Sequence, residues 1–200
     1  VAESPEDAPA QKALIDTVLH DIAGLRDTDT TNWQRGNDVE PRFTRRAASG
    51  EMVKPRRVYT GPHGALLPVF VDEEPRLGIG RGRRSVSRVV EWCRGTGHPL
   101  ALLTNARQFR LLHVAAEHDA YCEWDTAQWF EAGQLSPQVE AWQHLLAPAL
   151  HTPPQAGAPS PLLDAIRRIV TANAFFSPLP KKFDAKGATF SGRRSGIGEC

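Results

Sequence analysis

Apolar residues recur at Leu14, Val18, Ile22 and Leu25, and this spacing predicts an amphipathic helix over residues 11–25 with Gly24 near its end. Residues 26–55 lack periodicity and carry breakers at Gly36, Pro41 and Gly50, so loop or weak structure is expected there. Two β-type runs follow, 57–60 and 65–71, separated by the turn-forming Gly61-Pro62-His63-Gly64. Pro68 cannot donate to a ladder, which puts the second strand at an edge or interrupts it there. Residues 72–84 read as a loop of three acids and then four arginines among glycines. Ser85 is placed to cap a helix whose apolar face is Val86, Val89, Val90 and Cys93, with Trp92 adjoining and Gly95 and Gly97 ending it. Residues 99–104 and 107–114 predict a hairpin turning at Asn105 and Ala106. Alternation sets Phe109, Leu111 and His113 on one side of it and Arg110, Leu112 and Val114 on the other.

Beyond the hairpin the pattern predicts a strand over 120–124, then Asp125 and Thr126 capping a short helix that buries Trp129 and Phe130 and stops at Gly133. Residues 136–147 form a further helix with Val139, Trp142, Leu145 and Leu146 on its apolar face. The expected organisation is an α/β domain over 1–147, a Pro-rich linker over 148–161, and a helical connector with a basic, Gly-rich tail over 162–200. With 200 residues, 40% hydrophobic and 24% charged, the chain holds enough apolar material for a core, which excludes wholesale disorder and a large multi-domain enzyme. No stretch approaches the ~18 consecutive apolar residues of a membrane span. Residues 1–10 are acidic and Pro-rich where a signal peptide would be basic and then apolar. Cys93, Cys122 and Cys200 are too few and scattered for a disulfide framework or a zinc site, so a cytoplasmic, reducing compartment is expected.

Charge changes the picture most. The net charge of +1 conceals blocks of −6 over 1–41, +9 over 42–110, −7 over 111–165 and +5 over 166–200. The +9 block holds fourteen basic residues against five acids, and its arginines suit a phosphate backbone, although an Arg-rich surface alone accounts equally for the composition.

The run Leu102-Leu103-Thr104-Asn105-Ala106-Arg107-Gln108-Phe109-Arg110-Leu111 resembles the "L-T-N-G-R-x-W-R-L" hairpin in the amino-terminal region of type II-G restriction-modification enzymes. Similar hairpins occur in the related DISARM and BREX phage-defence DNA methyltransferases. The flanks agree in order: the apolar strand 66–71 with its Leu-Pro, the Gly/Arg-rich 80–84, the helix 85–94, and the strand 120–125 with Trp129-Phe130. The resemblance covers residues 59–146. It implies a mixed sheet flanked by helices in the PD-(D/E)XK restriction-endonuclease manner, where an Asp on one strand and an acid-x-Lys on the next hold Mg²⁺ against the scissile phosphate. It also implies double-stranded DNA as partner, and other defence-system subunits as further partners. A parent protein of this kind would be an adenine-N6 methyltransferase binding S-adenosylmethionine in a following domain, but residues 1–200 carry neither Asn-Pro-Pro-(Phe/Tyr) nor the associated glycine motif.

This chain departs from that pattern at the chemistry. Asp72, Glu73 and Glu74 stand where the second strand should deliver its acids, yet the residues two further on are Glu74, Pro75 and Arg76, and the strand 57–60 offers no Asp. Arginine is a poor stand-in for the lysine because it stays protonated. Asp38 or Glu40 is left to supply a first acid through the fold; otherwise the three acids are an exposed turn closing a strand. Arg76, Arg81, Arg83, Arg84, Arg88, Asn105 and Arg107 are the candidate nucleic-acid contacts, with Thr104 beside them; Asp72 and Glu74 are the candidate metal ligands if the chemistry survives.

The histidines lack H-x-x-x-H spacing, so His63, His98 and His113 read as turn or strand residues. Gly78-Ile79-Gly80-Arg81-Gly82 lacks the G-K-(S/T) of a phosphate loop and reads as a flexible basic loop. Cys93, Cys122, Trp124, Trp129, Phe130 and Trp142 read as core. The leading expectation is a DNA-engaging, nuclease-like module that is catalytically degenerate. Its rivals are a platform docking partner subunits through the −7 block, and an active Mg²⁺ endonuclease.

Overall fold

A computed structural model describes residues 7–114, 119–129 and, within 139–151, residues 139, 140, 142, 143, 146, 150 and 151. The expected linker 148–161, the connector and tail 162–200, Phe130 and the stop at Gly133 lie outside the described residues, apart from Leu150 and His151.

The core is a six-stranded mixed sheet made of β1 (Asn32–Arg35), β4 (Arg57–Thr60), β5 (Leu66–Val71), β6 (Leu100–Thr104), β7 (Gln108–Val114) and β8 (Asp119–Asp125), in that spatial order. Every neighbouring pair is antiparallel except β5 and β6, which run parallel and are joined by α2 (Gly82–Thr96). A parallel pair needs such a crossover, and the crossover helix covers one face. A two-stranded ribbon, β2 (Arg45–Arg46) with β3 (Met52–Val53), rides on α2.

Each sheet face has its own apolar layer. Beneath α2, the residues Val86, Val89, Val90, Trp92 and Cys93 meet Val58, Phe70, Ala101, Leu103, Leu112 and Val114. On the opposite face Ile15, Val18 and Leu19 from the amino-terminal helix, with Val139, Trp142 and Leu146, meet Tyr59, Leu67, Leu102, Phe109 and Leu111. Burial on both faces explains why β5 and β6 read as unbroken apolar runs. The expected alternation along β7 is observed, with Phe109 and Leu111 on one face and Arg110, Leu112 and Val114 on the other. Trp124, Trp129 and Trp142 are core residues as expected, Trp142 standing edge-on to Trp124 at 4.6 Å.

Four expectations need correction. The first helix is α1 (Asp7–Asp16), which widens into a π-helix over Thr17–Ile22. Its buried face is Ile15, Val18, Leu19 and Ala23, while Leu14 is exposed, because the wider turn brings successive apolar residues onto one side. Residues 26–55 are not structureless: β1 forms there, pinned by the Trp33 indole, which donates to the Leu25 carbonyl at 2.6 Å. Ser85 is not a cap, since α2 begins at Gly82. Pro68 lies in an interior strand, tolerated because pairing with β6 starts only at Val69.

His98 stacks on Trp92 at 5.6 Å and lies 5.8 Å from Phe43. Burial, helped by Arg42 and Arg45, holds its pKa below 6.5. Burial also lowers His20, outweighing the opposing pull of Asp16. Both rings therefore resist protonation in the folded chain, whereas the unfolded chain takes up protons once the pH falls past about 6.5. Stability is full above that pH and declines below it until the folded-state pKa values are passed. The thermal midpoint followed by circular dichroism should drop between pH 7.5 and 5.5, and replacing both His20 and His98 by glutamine should flatten the drop.

Candidate nucleic-acid interface

The segment between β5 and α2 is a strap laid over the end of the sheet, and β7 holds it down. Leu77 is fully buried; its amide donates to Gln108 Oε1 at 2.9 Å and its carbonyl accepts from Arg110 Nη2 at 3.1 Å. Asn105 Nδ2 donates to the Glu74 carbonyl at 2.8 Å. Arg110 is itself buried, paired with Glu123 at 2.5 Å and lying 4.2 Å over the Tyr121 ring. Gly78 turns beside that guanidinium with φ +72, and any side chain there would strike Arg110. Gly82 similarly lets α2 start against the Arg76 carbonyl.

The strap delivers cations to the start of α2. Arg81, Arg83 and Arg84 are all exposed there, with no acid in the first turn and no side-chain cap. Cations at a helix amino terminus oppose its dipole, so this arrangement costs stability and concentrates positive potential. Among the described residues Arg45, Arg46, Lys54, Arg56, Arg76, Arg81, Arg83 and Arg84 have no carboxylate partner. The other six basic residues of the +9 block are paired: Arg42 with Glu40, Arg57 with Asp16, Arg88 with Glu51, Arg94 with Asp119, Arg107 with Asp125 and Arg110 with Glu123. Three of those carboxylates, Asp119, Glu123 and Asp125, come from the −7 block.

Two of the unpaired group, Lys54 and Arg56, line a cleft of about 270 Å³ between the β2–β3 ribbon, α2, and the carboxyl ends of β5 and β6. Lys54, Arg56, Ser85, Arg88, Glu51 and Asp72 supply its polar lining. Ser85, one full turn inside α2 rather than at its cap, is thereby available to the cleft.

The remaining sequence candidates divide. Asp72 reaches the cleft; its Oδ1 accepts the Glu74 amide at 3.3 Å and its Oδ2 is buried without a partner among the described residues. Glu73 is exposed, Glu74 half-buried, and neither lines the cleft. Asp38 is exposed and Glu40 is held by Gln34 Nε2 at 2.6 Å and by Arg42. Among the described residues no group of three or more metal-ligating side chains is arranged to hold an ion. The cleft does not fit Mg²⁺: Lys54, Arg56 and Arg88 accompany one carboxylate already bound by arginine and a second facing inward.

Arg88 and Arg107 are tied by their ion pairs, and the Asn105 amide is engaged on both sides, its Oδ1 accepting the Gln108 amide at 2.7 Å. Thr104 Oγ1 accepts the Ala106 amide at 3.0 Å. These two side chains support Ala106 in the left-handed region at φ 68, where the resembled family has glycine. Sequence reading missed Lys54, Arg56 and the Arg45-Arg46 pair, because no periodic signal marked the ribbon. The available clue was the Lys-Pro-Arg-Arg run at 54–57 immediately before a strand.

Cys93 and Cys122 are inert core groups, their thiols pushed up to about 12 by burial. Among the described residues no helix is long and apolar enough to cross a membrane. Comparisons with protein families, characterised proteins and solved structures find no match.

Replacing Asn105 by alanine removes two hydrogen bonds and strands the Glu74 carbonyl, so chemical denaturation should register a loss of about 2 kcal/mol.

Proposed function

We propose that this chain is a DNA-engaging, nuclease-like module without metal chemistry, of the kind found at the amino terminus of restriction-modification and phage-defence DNA methyltransferases. One observation carries the reading: eight of the fourteen basic residues in 42–110 have no carboxylate partner among the described residues, and of these Lys54 and Arg56 line one cleft while Arg81, Arg83 and Arg84 stand exposed at the start of α2. Free arginines and lysines on one face neutralise successive phosphates and release counterions, a sequence-independent mode of binding.

The architecture supports the same reading, since a mixed sheet with helical layers on both faces is what the hairpin resemblance implies. Loss of catalysis follows from the cleft lining, where Lys54 and Arg56 stand beside the ends of the strands that should carry carboxylates. A phosphodiesterase needs carboxylates to converge on a metal that bridges the phosphate while water lines up opposite the leaving oxygen. The rival docking role of the −7 block is weakened because Asp119, Glu123 and Asp125 are engaged by arginines of the same chain.

A fluorescence anisotropy titration with unrelated duplexes tests the proposal. Binding should be weak, indifferent to sequence and steeply salt-dependent. Replacing Arg81, Arg83 and Arg84 by alanine should lower the log–log salt slope by about 2–3, since each phosphate left without its arginine removes about 0.9. Plasmid incubated with Mg²⁺ or Mn²⁺ should stay uncut. Unchanged binding in the triple variant would overturn the DNA reading; metal-dependent nicking abolished by Asp72→Ala would restore the nuclease.

A further inference from the structure

We propose that the cleft between the β2–β3 ribbon and α2 is a metal-independent seat for a phosphoryl group, a deepening of the DNA-binding proposal that rests on it. Lys54 and Arg56 face the cleft without a carboxylate partner among the described residues, and Arg88 is held at its wall by Glu51 at 3.2 Å. Ser85 adds a hydroxyl. Phe70, Val89 and Leu103, all buried, form an apolar backing. Such a backing lowers the local dielectric and strengthens charge-assisted hydrogen bonds to phosphate oxygens.

Size limits the occupant. At about 270 Å³ the cleft is smaller than the ~300–1,000 Å³ of drug-sized pockets. It suits one phosphoryl group with part of an adjoining sugar and excludes a stacked nucleobase pair. The Asp72 carboxylate counts against the anion, its Oδ1 accepting the Glu74 amide and its Oδ2 buried without a partner among the described residues. With Lys54, Arg56 and Arg88 against Glu51 and Asp72, the lining keeps one positive charge in excess. Where a divalent cation would otherwise bridge protein and phosphate, the side-chain cations bind the oxygens directly.

The phosphoryl group has two sources in DNA, an internal diester or a strand-terminal monoester. The test is an amide NMR titration of the whole chain, in EDTA, with the dinucleotide thymidylyl-thymidine and separately with thymidine 5′-monophosphate. Saturable shifts are expected at Lys54, Arg56, Ser85 and Arg88 with at least one probe. Tighter binding of the dinucleotide assigns the seat to internal diesters, and tighter binding of the monophosphate assigns it to strand ends.

Replacing Lys54 and Arg56 together by glutamine should weaken binding about tenfold or more. Lys54→Arg with Arg56→Lys should retain it, which separates loss of charge from loss of fold. Arg83→Ala with Arg84→Ala should leave it nearly unchanged while weakening duplex binding. No saturable shift in the cleft, a requirement for Mg²⁺, or indifference to the glutamine pair would overturn the seat. If duplex DNA binds through the helix start while neither probe fills the cleft, this inference fails and the DNA reading stands. If the probes fill the cleft and duplex does not bind, the seat stands and the DNA reading fails.

Discussion

Arg110 fixes how the strap meets the sheet. A guanidinium buried in the interior carries a desolvation penalty of several kcal/mol, and here three contacts offset it: Glu123 from β8, the face of Tyr121, and the carbonyl of Leu77. The last contact converts a strand-to-strand ion pair into an anchor for the segment after β5. Removing Glu123 costs about 3–5 kcal/mol, because Arg110 would stay buried without its partner, whereas Glu123 is partly exposed and water offsets the loss of Arg110. Gln108 shares the task by binding both Leu77 and Glu123, and Asn105 adds Glu74 to the same set. Three polar residues of one hairpin therefore hold the strap at Glu74 and Leu77, five residues before α2 begins at Gly82.

The allocation of charge follows from that anchoring. Carboxylates of the acidic block are drawn against Arg94, Arg107 and Arg110. Asp16 from α1 holds the buried Arg57. What remains unpaired is collected on the ribbon, the strap and the start of α2, where the cations oppose a helix dipole and one another. An arrangement that lowers the stability of the isolated chain is the arrangement an anionic partner would relieve. Two of these cations, Lys54 and Arg56, line the cleft beside the ends of β5 and β6, so the proposed phosphate binding and the proposed loss of metal chemistry rest on the same lining.

Much of this architecture was legible in the chain. The hairpin at Asn105-Ala106, the alternation along β7, the face of α2 and the buried tryptophans all follow from period-2 and period-3.6 patterning, which burial on both sheet faces enforces. What escaped was decided by tertiary context. Asn32-Trp33-Gln34-Arg35 holds one apolar residue, and becomes a strand only because β4 and the Leu25 carbonyl receive it. The π-helical turn at Thr17–Ile22 has no marker in the sequence, and it exchanged Leu14 for Leu19 on the buried face. The basic candidates were readable as a block, but which arginines are free and which are paired depends on acids up to 41 residues distant, as with Arg57 and Asp16. Thr104 and Asn105 read from the sequence as hairpin-tip candidates, and what the pattern does not show is that both side chains also tie the turn to its neighbours.

Amide hydrogen exchange of the whole chain, with and without a duplex in excess, tests most directly whether the unpaired cations form one binding surface. The account predicts slowed exchange over residues 45–56 and 76–88 together, with β8 unaffected. Protection confined to β8, or absent from both basic segments while the duplex is bound, would contradict it.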